Sequence, residues 1–460
     1  MQSKPGNKSS QNSFSLALPD LLAGRRTPRD LLEQYLERIA ARESAVHAFV
    51  VLNTEGARAA ADAATARYRA GKPLSMVDGC PVGIKDIMDT HDLPTQMGSP
   101  AFSGWQPRYD AACVHALRAG GAVIVGKTVT TAFACGVTNA TCNPHDTART
   151  PGGSSSGSGA AVGAGMLPVA LGTQTQGSLL RPASYCGAVG FKPTYGALPM
   201  HGIHPISATH DHLGVIGATL ADTWRIASHI SLAHGSPGYS FLDGAGAAPP
   251  AARKPKRLVR LHMRAWDAEV DAASRAQFEA LIETLGRAGV EIADRTSHAD
   301  IGEFEAALDG GFVERSIDIT TWEMKWPYAQ YIERHGDLIE KRVHDRMARA
   351  AGITPEQYVN LLADKRVMQE RARTMLAGSD GFITLAASGP APVGRENTGS
   401  RSYLVYATFL GIPAFSLPLL TADNMPLGVQ LMGMQGADGA LAATANWMMR
   451  EFVAETGQGS

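Results

Sequence analysis

Residues 151–196 read PGGSSSGSGAAVGAGMLPVALGTQTQGSLLRPASYCGAVGFKPTYG. Taken physically, this is a glycine–serine loop, a small-residue helix around 158–165, a short strand, and a second polar loop that ends at Ser178. The helix is almost all Ala and Gly, so other backbone can pack very close to it. Serine hydroxyls crowd both loops. A serine nucleophile needs a base to activate it and donors for the oxyanion that develops. The run Thr175-Gln176-Gly177-Ser178 can present consecutive backbone N–H groups to that oxygen, and Gly177 lets the backbone approach a substrate.

Outward from this segment the chain alternates. Thr27 is a natural N-cap, with Pro28 in the first turn and Asp30 near the positive helix end. Leu31, Leu32, Tyr35, Leu36 and Ile39 then recur at helical spacing. A second helix is expected from about Gly56 to Arg69. Val82-Gly83-Ile84-Lys85 reads as a short buried strand. His115 to Ala119 reads as helix, Gly120-Gly121 as a break, and Ala122-Val123-Ile124-Val125 as a second buried strand. This alternation predicts an α/β architecture. Residues 1–13 are expected to be a flexible tail and 14–460 a single domain. Within it, about 234–256 is a Gly/Pro/Ala-rich surface linker and about 265–375 a mostly helical region. Apolar runs resume at 381–386, 414–419 and 427–433.

The bulk composition narrows the function. The chain has 460 residues, 44% of them hydrophobic, and carries 42 basic against 43 acidic residues for a net charge of -1. That balance supplies no basic field for a phosphate backbone, so no nucleic-acid partner is expected. The sparse, odd set of five cysteines does not read as a disulfide framework. Neither a secretory signal nor an apolar run of about 20 residues is evident. A cytoplasmic protein that does not enter the membrane is the expectation.

Several motifs in the right order resemble the amidase signature family, and the resemblance runs over nearly the whole chain. Gly79-Cys80-Pro81-Val82-Gly83-Ile84-Lys85-Asp86 is similar to the family's lysine-bearing strand. Asn143-Pro144-His145-Asp146 and Thr150-Pro151-Gly152-Gly153-Ser154-Ser155 are similar to its lead-in to the serine loop, and Phe191-Lys192-Pro193-Thr194 to its close. Gly411-Ile412-Pro413-Ala414 and Pro426-Leu427-Gly428-Val429-Gln430 also fit. The resemblance implies one mixed, twisted sheet sandwiched by helices and a Ser–Ser–Lys triad. Lys85 would be the base, Ser154 the relay serine with a cis bond to Gly153, and Ser178 the nucleophile. The backbone of Thr175, Gln176, Gly177 and Ser178 would form the oxyanion hole, and Cys135, Gly153 and Gln176 would be substrate contacts. No metal and no cofactor are implied. The substrate would be a small amide, anilide or carbamate with an apolar or aromatic part, handled by a monomer or homodimer. A glutaminase-type component of a tRNA-dependent amidotransferase complex and a catalytically inactive binding protein are the alternatives. The serine loop departs from the family pattern in three respects. Gln174 and Gln176 stand where Asp and Gly are usual, and Arg181 lies three residues after Ser178 rather than two.

Competing motifs are weaker. Gly121 to Thr128 matches the phosphate-loop pattern, but its variable residues are strand-forming. Gly153 to Gly157 matches a GxSxG elbow with Ser155 at its centre, without a clear strand before it. His201, His204, His210 and His212 have no familiar metal-ligand spacing. Cys135 with Cys142 is read as pocket wall and not as a metal or disulfide pair. Trp322, Trp326, Tyr328 and Tyr331 read as core or as the lining of an apolar pocket.

Overall fold

The computed structural model describes residues 12–234 and 242–454. Its strands are β1 (Phe49–Leu52), β2 (Pro81–Lys85), β3 (Val123–Thr128), β4 (Val169–Gln174), β5 (Val189–Lys192), β6 (His212–Gly217), β7 (Arg257–Arg260), β8 (Glu291–Ala293), β9 (Phe382–Leu385), β10 (Ala414–Ala422) and β11 (Met425–Met432). All eleven join one sheet in the order β1-β3-β2-β4-β6-β5-β10-β11-β9-β7-β8. The sheet is mixed. β2 runs parallel to β3 and β4, whereas β6 is antiparallel to both β4 and β5. Helices flank it, as the α/β reading requires.

Most strands of this sheet are buried along their whole length, which is why they appear in sequence as continuous apolar runs instead of alternating ones. At the centre, the Phe191 and Phe415 rings stack at 4.3 Å and Trp224 packs beside Phe191 at 5.7 Å. The expected Thr27 cap is present in full: its hydroxyl accepts from Asp30 N, and the Asp30 carboxylate accepts from Thr27 N, at the head of the helix Pro28–Val46.

Two readings shift at their edges. Residues 1–11 of the expected tail lie outside the described residues, but Ser13 is buried and caps the helix Phe14–Leu22. Residues 235–241 of the expected linker also lie outside them, and 242–256 run irregularly into β7. Between Met263 and Leu376 the chain is mainly helical, interrupted by β8. No helix among the described residues is long and apolar enough to cross a membrane. All five cysteines are free and buried.

The small-residue helix forms at Ser156–Gly163, two residues earlier than the sequence places it. Its composition follows from its neighbours. A Cβ at Gly159 would stand 2.7 Å from the Pro182 Cβ, and one at Gly163 would stand 2.3 Å from the Cys186 carbonyl oxygen. Only a helix without side chains on that face fits against the helix Leu180–Cys186, which begins two residues after Ser178. The two polar loops are thereby held together.

Candidate active site

Parallel pairing of β2 with β4 brings Lys85 and Thr173 to the same end of the sheet. Lys85 Nζ lies 2.8 Å from Ser154 Oγ and 2.7 Å from Thr173 Oγ1. The lysine is fully buried, and desolvation pulls its pKa down to about 7, against the weaker opposing pull of Asp211 and Cys135. A substantial fraction of this amine is therefore neutral near neutral pH. The Gly153–Ser154 peptide bond is cis.

Ser178 sits after the polar turn that leaves β4. Its carbonyl accepts from Ser155 N at 3.1 Å, which ties the two serine loops to one another. Gly177 has φ of 130°, and a Cβ there would meet the Leu404 Cβ at 2.8 Å, so the position admits only glycine without strain. Among the described residues, the N–H groups of Gln176, Gly177 and Ser178 donate to no protein acceptor. Thr175 is anchored through its hydroxyl, which donates to Asp211 at 2.7 Å. Burial raises the Asp211 carboxyl to about 6, although it also accepts from the backbone of Ser207 and Ile206.

The two glutamines have separate jobs. Gln174 is buried, accepts from Leu179 N and Leu180 N at 3.2 and 3.1 Å, and donates to Thr408 Oγ1 at 3.1 Å. It secures the start of the helix after Ser178. Gln176 projects into the pocket, where its oxygen accepts from Arg401 and its amide reaches Thr320 at 3.4 Å. Arg181 is buried and turns away from Gln174. It donates to the carbonyl of Gly153 at 2.6 Å, to the carbonyls of Gly399 and Ser400 at 3.0 Å each, and to Thr398 Oγ1 at 3.0 Å.

Ser154, Ser178, Thr175, Gln176 and Cys135 line one cavity of ≈ 250 Å³. Lys85 stands behind Ser154, outside the lining. Gly153 and Gly177 are not part of the lining. The buried Cys135 thiol is raised by desolvation and so is a poor competing nucleophile. Sequence reasoning missed the outer wall: Thr320, Arg342 and Arg346 come from helices about 140 to 190 residues beyond the serine loops. The only sequence signal for the two arginines is charge within the helical region.

Other motifs come apart. Ser155 Oγ faces the backbone of Thr173 and is fully buried, so the elbow reading fails. Within Gly121 to Thr128, Val123–Thr128 forms β3, with Lys127 buried against Thr95 at 2.6 Å and Asp86 at 3.2 Å. His204 packs between Phe133 and Tyr328, His210 on Phe409 and His212 on Tyr195. The only metal-like grouping among the described residues is elsewhere, at His91, Asp92 and Asp110. Tyr328 and Tyr331 pack on Phe133, Trp322 stacks on Tyr358, and Trp326 is 68% exposed; none of the four lines the cavity.

Known proteins carry the same arrangement of the whole chain. The family described as Amidase matches residues 30–442. One component of the glutamyl-tRNA(Gln) amidotransferase of Chloroflexus aggregans is 32% identical over 465 aligned positions, covering 92% of each chain. Among solved structures, one described as an amidase superposes with a TM-score of 0.84 at 25% identity, covering 96% of this chain and 100% of its own. A 6-aminohexanoate cyclic dimer hydrolase superposes with a TM-score of 0.80 at 25% identity, covering 96% and 98%. With these matches beside the Lys85–Ser154 geometry, the chain belongs to the amidase signature family of carbon–nitrogen hydrolases.

Proposed function

We propose that this protein is a serine amidohydrolase that cleaves the C–N bond of a small amide-like substrate through an acyl-enzyme on Ser178. The observation that carries the reading is the hydrogen bond between a buried, readily deprotonated Lys85 and Ser154, in a wall that opens with Ser178 onto one cavity. Neutral Lys85 takes the Ser154 proton as Ser154 takes the Ser178 proton, and Ser178 Oγ attacks the carbonyl carbon. The oxyanion is received by the unpaired N–H groups of the 175–178 turn. The proton held on Lys85 returns through Ser154 to the leaving nitrogen, the C–N bond breaks, and water hydrolyses the acyl-enzyme by the same relay. Thr173 holds the lysine amine in place throughout.

Treatment with a serine-directed fluorophosphonate, followed by mapping of the labelled peptide, tests this. Label on Ser178 is expected; label on Ser155 or on neither serine overturns the assignment.

The similarity to a component of an amidotransferase favours a second reading, a glutaminase working inside a complex. Free glutamine needs an acid for its ammonium as well as a base for its carboxylate. The stretch 398–406 supplies Arg401 and no acid, so the free-standing hydrolase is preferred. Copurification with two partner proteins would reverse that preference.

A further inference from the structure

Arg342 and Arg346 lie one turn apart on the helix Lys341–Ala351 and face the cavity together. The other lysine and arginine of this helix are neutralised, as is Arg315 on the helix Phe312–Glu323. Lys341 pairs with Asp345 at 2.6 Å, Arg349 with Asp318 at 2.6 Å, and Arg315 with Asp364 at 3.4 Å. The cavity arginines are not. Among the described residues, Arg346 makes polar contacts only with the sulfurs of Cys135 and Met324, at 3.9 and 3.4 Å. Arg401 donates to the neutral Gln176. Among the described residues, Arg342, Arg346, Arg401 and the deeper Arg181 have no carboxylate within ion-pair distance, and no acid lines the cavity. Burial and mutual repulsion push Arg401 down to about 10, with Arg346, Arg181 and Arg342 all contributing. Converging like charges without a counter-ion is a cost that a bound anion removes.

Resting on the amidohydrolase reading above, we propose that the substrate is a small amide bearing a carboxylate, and that Arg342, Arg346 and Arg401 are the residues that hold this carboxylate while its carbonyl lies on Ser178. The guanidinium fork suits a carboxylate in two-point contact. A cavity of ≈ 250 Å³ suits a short acid. On this proposal a carboxylate stands where the sequence reading expects an apolar or aromatic substrate part; among the described residues, no aromatic side chain lines the cavity.

The test is protection of Ser178 against fluorophosphonate by oxalate, malonate, succinate and glutarate, each compared with its own diamide. At least one acid is expected to protect at a concentration about tenfold below that of its diamide. In R342Q and R346Q, that protection, measured against each variant's own unprotected rate, is expected to weaken about tenfold. Equal protection by every acid and its diamide overturns the proposal, as does protection that survives in both variants. If Ser178 takes no label, the amidohydrolase reading fails on its own. Calorimetric titration of the same acids into the unmodified protein and the two variants then still decides whether the arginines bind a carboxylate.

Discussion

Arg181 donates a 2.6 Å hydrogen bond to the carbonyl oxygen of Gly153, so the residue three positions after Ser178 holds the loop that carries Ser154. Its remaining bonds reach Thr398, Gly399 and Ser400. One guanidinium thus fastens two segments that sequence places more than two hundred positions apart. Its charge is balanced by carbonyl dipoles and one hydroxyl, and desolvation pulls its pKa down to about 10.

Arg181→Met should therefore lower kcat by about 10²-fold, because misplacing a reacting group by about an ångström is enough for such a loss. Arg181→Lys should restore little, since an ammonium cannot span the four acceptors. Steady-state kinetics on a hydrolysed amide check this, and full kcat in Arg181→Met would remove the residue from any positioning role.

Ser178→Ala should abolish turnover while leaving the unfolding midpoint close to that of the parent protein. Ser178 is partly exposed on the cavity wall, so little packing is lost. Retention of more than a few per cent of activity would disprove its role as nucleophile.

The rate should rise with pH along a limb centred near 7. Desolvation is what lowers Lys85 to about 7, and only its neutral form can accept the Ser154 proton. Below that value the amine is charged and kcat/KM falls. Thr173→Val removes an acceptor that favours the charged amine, so the limb should move to lower pH. Lys85→Ala should be nearly inactive at every pH. An unmoved limb in Thr173→Val would separate the lysine from the observed titration.

Gly177→Ala should separate function from folding. The alanine Cβ would press on Leu404 at a backbone angle that L-residues avoid, so the turn must shift and its N–H groups with it. A fall in kcat of about 10²-fold is expected, the scale of losing an oxyanion donor, with KM changed far less.

Gly163→Ala should reduce stability rather than chemistry. The new methyl would stand 2.3 Å from the Cys186 carbonyl oxygen and push two helices apart. Overpacking of this kind costs about 1–3 kcal/mol, readable as a lower urea midpoint.

Local signals made the inner half of the site legible. β2 and β3 are short buried runs, the Thr27 cap is a two-residue pattern, and the serine loops are marked by small residues that leave little conformational ambiguity. β1, β5, β6, β7 and β8 were not legible. β1 and β8 are only four and three residues long, and the apolar run of β6 is broken by Gly214. The helix Leu180–Cys186 was missed as well, because its capping interaction comes from Gln174 on the preceding strand. The departures at Gln174 and Arg181 are visible in sequence only as departures from the family pattern. In the structure each found its own partners, which no spacing rule can supply. The outer wall was hidden for a different reason: Arg342 and Arg346 are ordinary charged helix positions until the fold turns that face inward.

The arrangement along the chain has an engineering consequence. Lys85, Ser154, Thr173 and Ser178 all precede residue 180, whereas Thr320, Arg342, Arg346 and Arg401 all follow residue 310. On the proposed reading, the reacting groups and the arginines that hold the substrate come from separate stretches of the polypeptide and meet across a shared cavity. Grafting the 312–351 helices of a relative onto this scaffold would replace Thr320, Arg342 and Arg346 while leaving Arg401 and the proposed reacting groups in place, and is expected to alter the preferred substrate.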